Sequence, residues 1–281
     1  MRRLIVTFRE AGRRFSADGC AFLAQAIAFN ALFAVFPLLL LALVVLAFIY
    51  GSAEGQANVI ALFTSIAPGI KDAITENLHQ VVNLRSVSGA LALVTLVWSG
   101  KNLFMALAYA LDRALGIEQG RPLISGILVG LVMLPVVGVL LIAATAVPVV
   151  ITVAVQYGGF PHSPLFSQLA GYASGFLLVF ALSALLYAYL PNRHMGLGFG
   201  IPGALFTAVA WEAAQIAFAI YTTHVNFMHV YGALSTFAIL LLWFYYMGII
   251  FLYGAQLSAQ WQLSANRQSP SKAGIETRRT A

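Results

Sequence analysis

Residues 27–50 read IAFNALFAVFPLLLLALVVLAFIY, an apolar run that contains no charged side chain. An α-helix needs about 20 such residues to cross the roughly 30 Å hydrocarbon core of a bilayer. Residues 128–144, LVGLVMLPVVGVLLIAA, are equally apolar and also show no alternation of polarity. A membrane β-barrel would need stretches of about ten residues with alternating polarity, so the sequence predicts an all-α polytopic membrane protein.

The composition of the whole chain agrees with a membrane location. Of its 281 residues 61% are apolar and only 9% are charged, with a mean hydropathy of +0.89. Soluble domains are typically about 45–50% apolar and about 25% charged. A soluble enzyme or soluble binding module is therefore excluded. The chain has one cysteine, Cys20, which cannot form an internal disulfide and is interpreted as a packing residue.

Six stretches are long and apolar enough to be membrane spans, and together they form a predicted transmembrane domain over residues 27–260. The third of them has 33 residues and contains Pro135 and Pro148, so it is open whether it is tilted, kinked or extended beyond the bilayer. The predicted spans are residues 27–50, 87–111, 123–155, 165–190, 201–221 and 232–257.

The basic residues predict the orientation of the spans. Twelve of the 15 lysines and arginines lie in the N-terminal segment, in the second and fourth loops and in the tail, whereas the opposite loops hold only Lys71 and Arg85. By the positive-inside rule the first group is cytoplasmic, and an even number of spans then places both termini in the cytoplasm. The first span is too long for the apolar region of a signal peptide and is expected to be retained.

Three segments lie outside the predicted spans. In residues 1–26, apolar side chains including Leu4, Phe8 and Phe15 are interspersed with five arginines, which predicts an amphipathic helix resting on an anionic cytoplasmic leaflet. The first outer loop, residues 51–86, has helical apolar periodicity and predicts two short interfacial helices. The polar residues 261–281 predict a disordered cytoplasmic tail. Because orientation already explains the arginines, no nucleic-acid partner is predicted.

Two charged residues within the spans, Lys101 and Glu212, are the strongest candidates for function. Each lies roughly 15 Å from the predicted inner end of its span, and a charge at such depth normally faces the bundle interior and a partner. The sequence thus predicts a Lys101–Glu212 ion pair in a polar cluster with Gln215, Tyr245 and Tyr246. Such a pair could simply join two helices, or it could line a pathway and change its protonation as the pathway opens.

Glycines form two further patterns. Residues 198–203 match GxGxxG formally, but the dinucleotide motif requires a βαβ unit and is rejected here. Two alternatives are open for this segment: a lipid-phosphate contact involving Arg193, Gly198 and Gly200 at a helix start, or a plain flexible turn. The GxxxG pairs Gly126/Gly130 and Gly171/Gly175 predict close helix packing.

No catalytic centre is predicted. His224 and His229 lie too far apart for one helix face and lack a neighbouring cysteine or carboxylate, so no metal site is expected. The nine acidic residues are scattered, and no GxSxG, Walker A or HExxH motif occurs. The chain is therefore expected to be neither an enzyme nor a cofactor-binding protein.

Several segments together resemble the YihY/BrkB family of bacterial inner-membrane proteins. They are residues 28–40 (AFNALFAVFPLLL), 97–104 (VWSGKNLF), 189–193 (YLPNR), 201–221 (IPGALFTAVAWEAAQIAFAIY) and 230–260 (VYGALSTFAILLLWFYYMGIIFLYGAQLSAQ). The resemblance implies six helical spans in the bacterial cytoplasmic membrane. Asn30 and Ala34 stand where the family tends to have other residue types, so any role of those positions is not carried over.

Family members have been called ribonuclease BN, linked with serum resistance, and regarded as transporters of lipid or lipopolysaccharide. The scattered carboxylates argue against the ribonuclease label. We therefore expect a transporter or flippase-like protein for a lipid or another amphipathic anion, with Lys101 attracting the anion and Glu212 binding a proton. The alternative is a non-transporting scaffold that docks periplasmic or envelope proteins through its outer loops. Membrane lipids are the expected partners in both cases.

Overall fold

A computed structural model of the chain describes residues 2–49, 85–117, 122, 124–140, 164–193, 195–224 and 235–266. All regular secondary structure in these ranges is helical, which confirms the all-α prediction. The helices are α1 (Arg2–Ala17), α2 (Cys20–Ile49), α3 (Arg85–Ala114), α4 (Ile124–Leu140), α5 (Pro164–Tyr189), α6 (Leu197–His224) and α7 (Ser235–Asn266).

Four predicted spans contain a helix that is long and apolar enough to cross a membrane. These segments are Cys20–Leu38, Ala90–Ala114, Leu197–Phe218 and Phe237–Ser264. The other two predicted spans contain shorter apolar helical segments, Ile124–Leu140 of α4 and Ala173–Tyr189 of α5. The protein is thus a helical membrane protein. Residues 141–155, which complete the long third span of the prediction, lie outside the described residues.

Two helices extend past the limits expected for the transmembrane domain. α2 begins at Cys20 rather than near residue 27, directly after Gly19, whose φ of 65° ends α1 in the left-handed conformation that favours glycine. α7 continues to Asn266, past the expected limit at residue 260. The two predicted helices of the first outer loop and the predicted disordered tail from residue 267 onward lie outside the described residues.

α7 occupies the centre of the bundle. It packs against α2 on one side and α6 on the other, while α3 packs on α2 and α5 packs on α6. α4 lies on α3, where Gly130 approaches the backbone of Lys101. This close approach confirms the packing role predicted for Gly130.

Small residues bring α7 into direct contact with both neighbours. Gly254 of α7 lies against Gly203 of α6, and a Cβ on Gly203 would overlap the carbonyl oxygen of Gly254. On the other side, a Cβ on Gly248 would come within 3.1 Å of the Ala24 side chain in α2. Because lipid tails are as apolar as the side chains, close packing of this kind is a main source of helix association in a bilayer.

The buried core lies at one end of the bundle, here named the α1 end. It is formed by the start of α2, the start of α6, the last turns of α3 and α5 and the second half of α7, with Leu111, Tyr187, Leu190 and Leu252 fully buried. Large apolar side chains further from this end, such as Val94 and Ile216, are more than half exposed. An apolar surface of this extent suits contact with lipid.

α1 is the amphipathic N-terminal helix that the sequence predicts, and part of its apolar side packs on α7. Phe8 and Phe15 pack on Tyr253 of α7, and their ring centroids lie 6.4 and 6.0 Å, respectively, from that of Tyr253. The Tyr253 hydroxyl also donates a hydrogen bond of 2.9 Å to the Phe8 carbonyl. Phe8 keeps 38% of its surface exposed, and Ile5 and Val6 of the same helix are 68% and 62% exposed, so contact of α1 with an anionic leaflet stays a prediction. Arg9, Arg13 and Arg14 are exposed, and Arg13 pairs with Glu10.

Candidate functional site

A groove between α2 and α7 has both apolar and polar walls. We name it the α2–α7 groove. Its volume is about 810 Å³, and it is open rather than enclosed. Residues that line it include Phe22, Gln25 and Asn30 of α2 and Leu241, Leu242 and Tyr245 of α7.

Three of the lining side chains can form hydrogen bonds. The Asn30 side-chain nitrogen donates a 2.9 Å bond to the Ala26 carbonyl, which fixes the amide and leaves its oxygen as an acceptor. Gln25 is exposed and Tyr245 is half-buried. The remaining lining is aliphatic or aromatic. Such a groove suits a ligand with an apolar body and a polar head.

The packed α1 end adjoins this groove through the first turns of α2. Cys20 is fully buried there, and Gln256 of α7, which is 1% exposed, donates a 2.6 Å hydrogen bond to the Asp18 carboxylate in the α1–α2 turn. The position of Cys20 in the core confirms its predicted packing role. These contacts join α1, α2 and α7 into one unit and set the spacing of α2 and α7 at this end of the groove.

Lys101 and Glu212 lie in different parts of the bundle. Lys101 is half-buried where α3 meets Gly130 of α4. Glu212 is half-buried where α6 meets α5, and its carboxylate oxygen lies 3.6 Å from the position of a Cβ on Gly175. Lys101 contacts Gly130 through its backbone and Cγ, whereas Glu212 reaches Gly175 with its carboxylate.

The predicted Lys101–Glu212 ion pair is wrong for this conformation. Both residues are described by the structure, and no ion pair with a nitrogen–oxygen distance up to 4 Å joins them; the ion pairs of Glu10 with Arg13 and Arg14 lie in α1. The physical reason is the lateral order of the helices: α3 packs mainly on α2, whereas α6 packs mainly on α5 and α7. Equal depth in the membrane therefore does not bring the two side chains together.

The other members of the predicted polar cluster lie at different surfaces of the bundle, although the two tyrosines are neighbours. Gln215 is exposed, Tyr245 lines the α2–α7 groove, and Tyr246 points to the α6 side of α7. The two tyrosine ring centroids are 5.9 Å apart. Of the predicted cluster, only Tyr245 contributes to the groove.

The three residues of the predicted phosphate contact at the start of α6 also lie in different environments. Arg193 and Gly198 are exposed there. Gly200 is buried against α5, where a Cβ would come within 3.0 Å of the Ala184 carbonyl oxygen. Gly200 therefore serves close helix packing, and the contact at Arg193 and Gly198 stays a prediction.

The sequence analysis did not identify the polar groups that hold the α1 end together. The Tyr187 hydroxyl donates a 2.6 Å bond to the Phe251 carbonyl and lies 2.8 Å from the Thr207 hydroxyl. The Asp112 carboxylate accepts a 2.7 Å bond from the backbone N–H of Asn192. The available sequence signal was the position of these polar residues near the ends of apolar runs. For Gln25 and Asn30 of the α2–α7 groove, the signal was their position within an apolar run.

Comparisons with known proteins identify the family of this chain and several of its relatives. The sequence profile of the family described as Virulence factor BrkB matches residues 11–276. A protein of Bacillus subtilis named as ribonuclease-like, YfkH, is 25% identical over 83% of this chain and 86% of its own length. A UPF0761 membrane protein of Legionella pneumophila is 26% identical over 91% of this chain and 62% of its own length.

A second UPF0761 membrane protein, from Pseudoalteromonas translucida, is 29% identical over 70% of this chain and 66% of its own length. No solved structure matches the chain. The profile match extends from α1 to beyond the end of α7 and so includes both helices that form the α2–α7 groove. The chain therefore belongs to the Virulence factor BrkB family of membrane proteins.

Proposed function

We propose that this protein moves a lipid or another amphipathic anion across the bacterial inner membrane, without enzymatic activity and without an ATPase site of its own. The α2–α7 groove is the observation that carries the proposal. Its apolar walls can hold acyl chains, and its three polar side chains can hydrogen-bond a head group. Because the groove is open, a lipid would be able to enter it from the bilayer without first passing through water.

The topology that we propose has six spans and both termini in the cytoplasm. The four long apolar helices and the two shorter ones support the number of spans. The arginines of α1 support the orientation, because α1 lies at the end of the bundle where the positive-inside rule places the cytoplasm. The buried α1 end is then the cytoplasmic end of the protein.

In this proposal Glu212 and Lys101 act separately. A carboxylate within a membrane span is costly to keep charged, so proton uptake by Glu212 would favour closer contact between α6 and α5 at Gly175. Lys101 would attract the anionic head group from its position between α3 and α4. A proton gradient could then drive movement of the substrate.

The test is lipid transfer in proteoliposomes. Fluorescent lipid in the inner leaflet becomes accessible to a membrane-impermeant quencher only after it crosses the bilayer. We expect the protein to accelerate this crossing over protein-free liposomes, and we expect Glu212→Gln to lose any stimulation by a pH gradient.

Filling the groove gives a sharper test with a matched control. Ala26 of α2 lines the groove and is exposed, so Ala26→Trp should fill the groove and reduce transfer at least about tenfold. Ala213 of α6 is equally exposed but lies outside the groove lining, so Ala213→Trp should leave transfer unchanged. Inactive liposomes of the intact protein, together with crosslinks from its first outer loop to envelope proteins, would instead support the scaffold alternative.

A further inference from the structure

A second cavity, between α6 and α7, has a different chemical character from the α2–α7 groove. Its volume is about 400 Å³, and we name it the aromatic pocket. Its walls include four aromatic side chains and two alanines: Phe218, Tyr221, Trp243, Tyr246, Ala214 and Ala217. No residue of its lining carries a charge.

The rings of the aromatic pocket are inclined to one another. The Phe218 and Trp243 centroids are 4.7 Å apart with an angle of 49° between the ring planes, and those of Phe218 and Tyr221 are 6.3 Å apart at 39°. Outside the lining, Trp211 packs edge-on against Trp243 at 5.8 Å. This contact limits the motion of the Trp243 indole, and the small side chains of Ala214 and Ala217 leave space in the pocket.

An aromatic lining of this kind favours one class of ligand. The face of an aromatic ring carries partial negative charge, so several rings around one cavity attract a cation, and tryptophan does so most strongly. The uncharged lining adds no basic group that would repel it. Ammonium groups bind in such aromatic cages, where they lose contact with water without needing a carboxylate.

We propose that the aromatic pocket binds the ammonium head group of a membrane lipid. Tyr221 lies at the predicted outer end of α6, so the head group can enter from the outer interface of the bilayer. The acyl chains would then extend over the exposed apolar side chains of α6, such as Ile216. The site does not depend on transport, because binding is an equilibrium property of the pocket.

Two ligands that differ in a single atom test the proposal. Dioctanoylphosphatidylcholine carries a trimethylammonium group, and its 3,3-dimethylbutyl analogue replaces the charged nitrogen by carbon at almost the same size. Calorimetric titration of the full chain in phosphatidylglycerol nanodiscs, which contain no ammonium lipid, measures the affinity of each. We expect the charged ligand to bind about tenfold more tightly, within a range of two- to thirtyfold.

Variants then locate the site. Trp243→Leu should bring the two affinities within twofold of each other, and Trp243→Phe, which keeps a ring with a weaker negative face, should give an intermediate ratio. Trp98→Leu is the matched control, because Trp98 of α3 is 61% exposed and lies outside the pocket. Its ratio should equal that of the unchanged protein.

Three results would overturn the proposal: equal affinity of the two ligands for the unchanged protein, no binding of either ligand, or full discrimination in Trp243→Leu. In each case the aromatic residues serve packing or anchor the protein at the interface. A failure here leaves lipid transfer through the α2–α7 groove untouched. Conversely, if Ala26→Trp loses lipid transfer, the preference of the aromatic pocket for the charged ligand should not change.

Discussion

Gly203 of α6 and Gly254 of α7 lie so close that neither position has space for a β-carbon. A Cβ on Gly203 would overlap the Gly254 carbonyl oxygen, and a Cβ on Gly254 would come within 2.9 Å of the Gly203 carbonyl oxygen. The Gly203 N–H also donates a 2.9 Å hydrogen bond to the Ser258 hydroxyl. This contact fixes the separation of α6 and α7 at the α1 end, while the aromatic pocket lies between the same two helices further along.

Replacing either glycine should therefore destabilise the bundle. We expect Gly203→Ala and Gly254→Ala each to cost about 1–3 kcal/mol, the usual range for overpacking in a core, even though alanine has the higher helix propensity. Unfolding in mixed micelles of increasing SDS content measures the effect. Gly138→Ala on α4 is the control, because a Cβ at Gly138 meets no atom within 4 Å. Equal stability of all three variants would contradict the close contact.

The Tyr187 hydroxyl should contribute measurably to stability. It is fully buried and donates to the Phe251 carbonyl, so Tyr187→Phe leaves that carbonyl without its side-chain donor and removes the partner of the Thr207 hydroxyl. Hydrogen bonds between membrane helices average about 0.6 kcal/mol and reach about 1.7 kcal/mol. We expect a loss in the upper part of this range in the same unfolding assay.

The matched control for this hydroxyl is Tyr109→Phe, because Tyr109 is 63% exposed on α3. It should change stability by less than about 0.5 kcal/mol. A Tyr187→Phe variant as stable as this control would show that the buried hydroxyl contributes nothing net.

The positions of the helices could be predicted from the sequence, because a chain in lipid must satisfy its backbone hydrogen bonds within each span. The depth of Lys101 and of Glu212 could also be counted at 1.5 Å per residue. The rotation of each helix about its axis and its lateral neighbours could not. The α2–α7 groove exists only because Asn30 and Tyr245, which are distant in the sequence, lie on adjacent helices.

The docking of α1 on α7 also could not be predicted from the sequence. The sequence of α1 identifies an apolar side, but a lipid surface and the apolar side of α7 are equally good partners for Phe8 and Phe15. The position of Tyr253 shows that α7 is one partner of these two rings. The groove and the docking of α1 thus needed the three-dimensional arrangement, whereas the helices themselves did not.

Tyr253 should control the docking of α1. Its ring contacts Phe8 and Phe15, and its hydroxyl bonds to the α1 backbone, so Tyr253→Ala should release α1 from α7. Arg9, Arg13 and Arg14 are exposed trypsin sites whose cleavage requires local unfolding of the helix. We expect cleavage at these sites to become at least about tenfold faster in the detergent-solubilised variant.

Tyr109→Ala controls for a general loss of stability in this assay, since Tyr109 is exposed on α3. Its rate of cleavage within α1 should match that of the unchanged protein. If Tyr253→Ala is cleaved no faster than this control, contacts other than those of Tyr253 hold α1.

Lys101 and Glu212 should behave as independent residues. Because they face different helices and form no ion pair with each other, Lys101→Met and Glu212→Gln should have additive effects on stability, with a coupling below about 0.5 kcal/mol in a double-mutant cycle. For the same reason, exchanging the charges in Lys101→Glu/Glu212→Lys should not restore what either single exchange loses. Rescue by the double exchange, or a coupling above about 1 kcal/mol, would mean that the two side chains meet in a second conformation of the protein. Such a conformation would require α3 and α6 to become neighbours, and lipid transfer measured with the same four proteins would show whether it belongs to the transport cycle.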